Sequence, residues 1–233
     1  MDAKALKCEV LSGNQLKILA LITMTCDHAG RELFPELTIL QIIGRLAFPI
    51  FAFMIAEGCR YTKNRRKYLF SMAGLGLLCQ TVYYFAENSL YQCVLITFSL
   101  SIVLIYALDN ASKRNSAASW TLCVLSFITA AFICVFLPEI LTDTDFAVDY
   151  GFFGVLLPVF VYLGSDKLQQ LCLACIPLIF ISLELGEIQW FSLAAVAVLA
   201  TYSGKRGKLK MKYLFYIYYP LHLTAIYAIS NIL

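Results

Sequence analysis

Long apolar runs alternate with short polar or charged segments along almost the whole chain. A helix that crosses the hydrocarbon core of a membrane needs about 20 predominantly apolar residues, within a range of roughly 17–25. The runs predict about nine transmembrane helices, of which the sixth and seventh are short enough to be tilted, partly re-entrant or buried. Their approximate ranges are 16–34, 37–59, 68–86, 91–108, 119–137, 150–164, 168–184, 188–203 and 213–232.

The composition agrees with this pattern. Of the 233 residues, 61% are hydrophobic and 14% are charged, whereas a soluble globular domain is nearer half apolar and a quarter charged. The sequence therefore predicts an all-α, polytopic integral membrane bundle that forms a single domain over residues 1–233. The first 15 residues carry charge without an apolar core, so we expect the first helix to be retained rather than cleaved. So little soluble surface argues against nucleic-acid binding.

Basic residues fall almost entirely on one side of the predicted bundle. Of the 18 lysines and arginines, all but Arg31 and Arg45 lie in the N-terminal segment or in the loops that follow every second helix. Acidic residues such as Glu36, Glu87 and Glu139 lie in the opposite loops. Because Lys and Arg favour the cytoplasmic side, the N-terminus is predicted to be cytoplasmic and the C-terminus external.

Four ionisable residues interrupt the apolar runs, and they are Asp27, His28, Arg45 and His222. At 1.5 Å per helical residue, His28, Arg45 and His222 each lie roughly 13–16 Å from the nearest predicted membrane surface. That depth is close to the middle of a hydrocarbon core about 30 Å thick. Ionisable groups are costly there and usually face the protein interior, so we expect these four residues to form a functional cluster.

Structural interpretations of the same residues are also open. A histidine in a transmembrane helix is often a hydrogen-bonded helix contact, and Asp27 and Arg45 could form a purely structural ion pair. Adjacent helical residues point about 100° apart, so we expect Asp27 to orient His222 or to pair with Arg45 rather than to orient His28. Two histidines and an aspartate could hold zinc, but the neighbouring arginine argues against a metal.

Two prolines predict kinks beside these polar residues. Pro49 lacks a backbone donor and frees the carbonyl of Arg45, and Pro220 does the same for the carbonyl of Tyr216. Kinks and freed carbonyls next to a polar cluster are typical of a cavity within a membrane protein.

Two clusters of positive charge lie in predicted cytoplasmic loops. The first consists of Arg60, Lys63, Arg65, Arg66 and Lys67, and the second of Lys205, Arg206 and Lys208. Topology and attraction to anionic membrane lipids would alone explain both clusters. A seat for the phosphates of a cofactor is the alternative, favoured by Glu57 beside the first cluster and by Gly204 and Gly207 in the second.

A set of short motifs carries a family resemblance through most of the chain. The motifs are LKILA at 16–20, MTCDHAG at 24–30, GRLAFPIFAF at 44–53, EG at 57–58, KY at 67–68, DYGFFGV at 149–155, GKRG at 204–207 and YIYYPLHL at 216–223. In these segments the sequence resembles the TraX family, whose named member acetylates the N-terminus of F-type pilin during conjugation. Each motif is weak alone, but the set is specific.

The resemblance implies an acetyl-CoA-dependent acetyltransferase of the bacterial cytoplasmic membrane that uses no metal. Acetyl would pass directly to an amine or hydroxyl of a peptide or small-molecule acceptor, with His28 as general base and Arg45 at the developing oxyanion. Asp27 and His222 would complete the catalytic group. The candidate cofactor-binding residues are Glu57, Arg60, Arg65, Arg66, Lys67, Lys205 and Arg206. The candidate acceptor-binding residues are Asp149, Tyr150 and Tyr219.

Two positions depart from the family pattern, because Cys93 ahead of Thr97, and Ser203 ahead of Gly204, stand where asparagine is expected. These departures leave the acceptor open. A proton-coupled transporter is the alternative function, since it would also use His, Asp and Arg at the midplane with kinked helices around them. A non-catalytic membrane scaffold would leave the polar cluster unexplained.

Overall fold

A computed structural model describes residues 10–207, 212–230 and 232. The predictions of sidedness that rest on Lys4, Lys7, Lys208 and Lys210 lie outside these residues. The described chain consists of helices and their connections, with isolated bridges between Leu11 and Tyr202 and between Gln92 and Val148. The predicted all-α class is therefore confirmed.

Eleven α-helices follow one another along the described part of the chain. They are α1 (Gly13–Glu32), α2 (Thr38–Gly44), α3 (Ala47–Tyr61), α4 (Arg65–Glu87), α5 (Val94–Arg114), α6 (Ala117–Ala131), α7 (Leu137–Ile140), α8 (Gly151–Leu163), α9 (Lys167–Leu185), α10 (Ala194–Ala200) and α11 (Lys212–Ser230). A π-helical segment, Phe132–Phe136, joins α6 to α7, and a 3₁₀-helix, Glu187–Leu193, leads into α10.

Within the described residues, five helical stretches are long and apolar enough to cross a membrane. They are Thr38–Tyr61, Arg65–Glu87, Val94–Arg114, Ala117–Ile140 and Lys167–Leu185. Helix α8 has 13 residues, about 20 Å of helix against a core about 30 Å thick, so it is too short to cross alone. The protein is thus a helical membrane protein, and the count of nine spans and the sides of the termini stay predictions.

The contacts within the chain divide it into two units. The first unit comprises residues 1–54 and 166–233, and the second comprises residues 55–165. In the first unit, α1 packs against α2 and α11, and the 3₁₀-helix packs against α2, α9 and α10. In the second unit, α5 is the central helix and packs against α4, α6 and α8.

Helix α1 begins at a capping box in which Ser12 and Gln15 bond to each other's backbone N–H groups. Farther along, its backbone approaches α2 closely at two glycines. A Cβ atom on Gly30 would lie 2.8 Å from the Cβ of Leu40, and one on Gly44 would overlap the Asp27 side chain. The absence of both side chains lets the two helices meet, which brings the end of α2 against Asp27.

Arg45 stands at the break between α2 and α3 predicted from Pro49. Helix α2 ends at Gly44 and α3 begins at Ala47. The N–H of Arg45 is shared between the carbonyls of Gln41 at 3.1 Å and Ile42 at 3.2 Å, as in a tightened final turn. Pro49 supplies no N–H to the Arg45 carbonyl, and the helix is interrupted there.

The close approach at Gly44 predicts that Gly44→Ala lowers the thermal unfolding temperature of the purified protein. The new methyl group would meet a buried carboxylate side chain, and overpacking of this kind costs about 1–3 kcal/mol. Gly74→Ala in α4 is the matched control, because outside its own helical turn no atom of the described chain lies within 4 Å of the added Cβ. That variant should unfold at an equal or higher temperature, and a similar fall in both would contradict the steric argument.

Candidate functional site

A buried ion pair joins α1 to the end of α2. Asp27 is 7% exposed and Arg45 is 8% exposed, and Nη2 of Arg45 donates to Oδ1 of Asp27. The second oxygen of the carboxylate, Oδ2, lies 3.2 Å from Nε of Arg31, whose side chain is 52% exposed. Asp27 therefore stands between a buried and an exposed arginine.

The rest of the Arg45 guanidinium is also held by hydrogen bonds. Its Nε donates to the carbonyl of Gln41 at 3.2 Å, and its Nη1 donates to Oε1 of Gln189 at 3.2 Å. Gln189 belongs to the 3₁₀-helix and is 2% exposed. Sequence reasoning missed Gln189, because an uncharged residue 144 positions from Arg45 gives no pattern that links the two.

The two histidines meet between α1 and α11. The ring centroids of His28 and His222 are 5.1 Å apart, and the rings stand edge to face with an interplanar angle of 81°. The ring of Tyr218 stacks on His222 at 5.3 Å, and its hydroxyl lies 2.6 Å from Oγ1 of Thr25. A hydrogen bond and an imidazole contact thus fix α11 against α1. The ring centroid of Tyr219, a predicted acceptor-site residue, lies 5.6 Å from that of His222, and the two rings are inclined at 67°.

A backbone carbonyl determines the tautomer of His222. Nδ1 of His222 lies 2.9 Å from the carbonyl oxygen of Tyr218. A carbonyl oxygen can only accept, so Nδ1 carries the hydrogen and Nε2 of the neutral ring keeps its lone pair. Within the part of the chain that the structure describes, the buried Nε2 has no hydrogen-bond partner. His222 is therefore prepared to accept a proton or a hydrogen bond at Nε2.

Asp27 and His28 are adjacent on α1, but each belongs to a different pair. Asp27 faces α2 and Arg45, whereas His28 faces α11 and His222. Of the two roles predicted for Asp27, the structure gives the pairing with Arg45. The four ionisable residues singled out in the sequence thus form two neighbouring pairs, each with one member on α1, as the rotation of about 100° per residue requires.

The glycine-flanked basic segment 203–207 lies on the N-terminus of α1. The N–H groups of Gly13 and Asn14 donate to the carbonyls of Lys205 at 2.8 Å and Arg206 at 3.0 Å. Gly207, with a φ of 88°, needs its missing side chain, because a Cβ there would lie 2.9 Å from the Asn14 amide nitrogen. The side chains of Lys205 and Arg206 are exposed. Any anion bound here would contact those side chains, since protein carbonyls occupy these two N–H groups.

In the second unit, Arg60 and Arg65 make internal contacts. Nη2 of Arg60 donates to the last carbonyls of α8, and its Nη1 lies 3.8 Å from the buried Glu57. The carbonyls are those of Val161, Tyr162 and Gly164, at 3.1, 2.7 and 2.6 Å. Arg65 pairs with Asp109 and stands over the ring of Tyr106 at 5.0 Å. Of the first basic cluster's predicted cofactor residues, Arg66 and Lys67 have exposed side chains.

Asp149 and Tyr150 form the turn that precedes α8 in the second unit. The carbonyl of Asp149 accepts from the hydroxyl of Thr97 at 2.8 Å, and its Oδ1 accepts from the hydroxyl of Tyr91 at 2.8 Å. Tyr150 has a φ of 62°, in the left-handed region. The turn is therefore held by contacts with α5 and with Tyr91, which precedes α5.

The chain is similar to known proteins over most of its length. A model of the family described as TraX protein matches residues 12–230. An uncharacterized protein of Rickettsia prowazekii (strain Madrid E) is 31% identical over 169 residues, 72% of this chain, which span 62% of that relative's length. The probable fimbrial assembly protein FimC, serogroup H1, of Dichelobacter nodosus is 25% identical over 246 residues, 91% of this chain and 93% of that protein. No solved structure matches at a significant level.

The ion-pair geometry predicts unequal effects for the two sides of Asp27. Asp27→Ala leaves Arg45 buried without its carboxylate, and breaking a buried pair in this way costs about 3–5 kcal/mol. Arg31→Ala is the matched control, because it removes an exposed partner of the same carboxylate and should cost about 0–1 kcal/mol. Thermal unfolding of both purified variants checks this. Equal losses of stability would contradict a buried pair that depends mainly on Arg45.

Proposed function

The chain belongs to the TraX family, and from this membership and the buried site we propose that it is a membrane-embedded acetyltransferase. The donor would be acetyl-CoA, and the acceptor an amine or hydroxyl of a peptide or small molecule. The observation that carries the proposal is the contact between His28 and His222, in which the lone pair at Nε2 of His222 has no hydrogen-bond partner among the described residues. Such a group suits a reaction that moves a proton.

The histidine pair would manage the proton of the acceptor. The acceptor nitrogen or oxygen attacks the thioester carbon, and its proton passes to His28, with His222 as the neighbouring base. Collapse of the tetrahedral intermediate breaks the carbon–sulfur bond, and the leaving thiolate takes that proton. General base action of this kind contributes typically about 10²–10⁴-fold to the rate.

Arg45 would stabilise the negative charge that develops on the thioester oxygen. Charge stabilisation requires donors that are already oriented in a site of low dielectric constant. The guanidinium meets this requirement, because it is buried and three of its nitrogens are held by Asp27, Gln41 and Gln189. Asp27 would thus act through Arg45, as a positioning residue.

Exposed basic side chains are suited to the phosphates of acetyl-CoA. Guanidinium and ammonium groups form charge-assisted hydrogen bonds with phosphate. Two separate clusters have exposed side chains that fit this chemistry: Lys205 and Arg206 in the first unit or, as the alternative location, Arg66 and Lys67 in the second. Arg60 and Arg65 would then serve mainly as internal supports for the second unit.

A peptide is the first acceptor to test. One relative is named as a probable fimbrial assembly protein, so the amino group of a fimbrial subunit is a suitable substrate class. Tyr219, beside His222 in the first unit, is the residue that we propose for acceptor binding, and the turn of Asp149 and Tyr150 in the second unit is the alternative location. The location that agrees with this proposal is the bacterial cytoplasmic membrane.

The central prediction is that His28→Ala abolishes acetyl transfer in a folded protein that still binds acetyl-CoA. Loss of a general base should lower the turnover about 10²–10⁴-fold. His222→Ala should be comparably severe if both rings handle the proton. The measurement is transfer of radiolabelled acetyl by purified variants, with donor binding and thermal unfolding followed in parallel.

Thr224→Ala is the matched control for this experiment. Thr224 lies on α11 two positions after His222, and its exposed hydroxyl donates to the carbonyl of Pro220 at 2.9 Å. This variant should keep normal turnover. Near-normal turnover in His28→Ala would remove His28 from the proposed chemistry and move the search for the base to His222.

A second prediction concerns the donor. The variant in the cluster that holds the donor, Arg206→Ala or Arg66→Ala, should raise the KM for acetyl-CoA roughly tenfold, equivalent to ~1.4 kcal/mol of binding free energy, and leave the KM for the acceptor nearly unchanged. Arg114→Ala removes another exposed arginine at the end of α5 and is the control. An unchanged donor KM in both variants would return the two basic clusters to a purely topological role.

A further inference from the structure

The 3₁₀-helix Glu187–Leu193 carries two polar side chains into the interior of the first unit. Gln189 is 2% exposed and Ser192 is 0% exposed. A 3₁₀-helix has three residues per turn, so side chains three positions apart lie on the same face. Gln189 and Ser192 therefore lie one above the other on a buried face of this helix, which packs against α2 just before Arg45.

The chemistry of Arg45 determines the orientation of the Gln189 amide. A guanidinium has only N–H donors, so the atom that it meets at 3.2 Å must be the amide oxygen of Gln189. The amide nitrogen, Nε2, must then point elsewhere with its two hydrogens. Among the described residues, this buried Nε2 has no hydrogen-bond acceptor.

Ser192 shows the same deficit. Its buried Oγ has no hydrogen-bond partner in the described part of the chain. Another buried serine of the first unit, Ser182, is satisfied, because its hydroxyl donates to the carbonyl of Leu178 at 2.8 Å. A buried polar group without a partner destabilises a protein and is seldom found without a specific reason. Two of them three residues apart, beside a buried arginine, indicate a place for a missing oxygen.

We propose that Gln189 Nε2 and Ser192 Oγ, together with an N–H of Arg45, donate hydrogen bonds to the acyl oxygen of the bound thioester. This inference rests on the proposed acetyl transfer. When the acceptor attacks the thioester carbon, the carbon–oxygen double bond becomes a single bond to a negatively charged oxygen. A group of donors that is already oriented stabilises that oxygen more than the neutral carbonyl.

Arg45 has enough N–H groups to donate one to the acyl oxygen. Its side chain carries five N–H groups, and those on Nε, Nη1 and Nη2 that bond to Gln41, Gln189 and Asp27 use three of them. Gln189 and Ser192 would therefore be catalytic residues in the strict sense, because they would touch the reacting oxygen.

The competing explanation is that Gln189 only positions Arg45. Two substitutions separate these roles. Gln189→Met removes both the acceptor for Arg45 and the donor, whereas Gln189→Glu restores an acceptor for Arg45 without an N–H. Under the donor role, both variants should lose about 10²–10³-fold in kcat, the usual cost of removing one oxyanion donor. Under the positioning role, Gln189→Glu should recover activity relative to Gln189→Met.

An infrared measurement reports the hydrogen bonds directly. Hydrogen bonds to a carbonyl lower its stretching frequency, so acetyl-CoA labelled with ¹³C at the acyl carbon should show a lowered band when bound to the unaltered protein. The band should move to higher frequency in Gln189→Met and in Ser192→Ala. Ser182→Ala is the matched control, and it should leave both the band and kcat unchanged while lowering the unfolding temperature.

The outcomes distinguish the two proposals. If the unaltered protein transfers acetyl but Gln189→Glu and Ser192→Ala keep its kcat and its carbonyl band, the donor site is wrong and the proposed function stands. A fall in unfolding temperature for Ser192→Ala as large as that for Ser182→Ala would show a structural hydroxyl and also overturn the donor site. Absence of transfer by the unaltered protein would overturn the proposed function, and the acyl-oxygen role with it.

Discussion

The buried ion pair between Asp27 and Arg45 is the interaction on which the first unit depends. Burying either charge alone is strongly unfavourable, so each requires the other in place. The pair forms because Gly44 lets α2 approach the Asp27 side chain and because the helix breaks directly afterwards, at Arg45. The orientation of the guanidinium then determines that of Gln189. One contact thereby connects α1, α2 and the 3₁₀-helix.

Helix α1 directs the ion pair and the histidine pair to different neighbours by its own geometry. Consecutive residues on a helix point about 100° apart, so Asp27 and His28 cannot serve the same neighbour. One meets the Arg45 guanidinium at the end of α2, and the other meets an imidazole on α11. The His28–His222 contact therefore depends on α11 being held in place, which the hydroxyls of Thr25 and Tyr218 achieve.

Much of the fold and of the candidate site could be predicted from the sequence, because polar residues are conspicuous within the long apolar runs of a membrane protein. Asp27, His28, Arg45 and His222 stood out against apolar runs, Pro49 indicated the helix break, and the motifs identified the family. The sequence predicted one helix at 188–203, whereas the structure has a 3₁₀-helix followed by α10. The hydrophobic pattern of so short a 3₁₀ segment does not distinguish it from an α-helix. Gln189 and Ser192 could not be found at all, because an unmet hydrogen bond is a property of the folded neighbourhood and leaves no pattern in sequence.

The position of Arg31 links the surface of the protein to its interior. A single carboxylate serves an exposed and a buried arginine, so any anionic group that competes for Arg31 changes the free energy with which Asp27 holds Arg45. Thermodynamic reciprocity requires the converse: a ligand that draws on Arg45 must alter the affinity of Arg31 for anions by the same factor. Asp27 therefore couples the two arginines. A change in ionic strength that alters the Arg31–Asp27 interaction at the surface also alters the interaction of Asp27 with the buried Arg45.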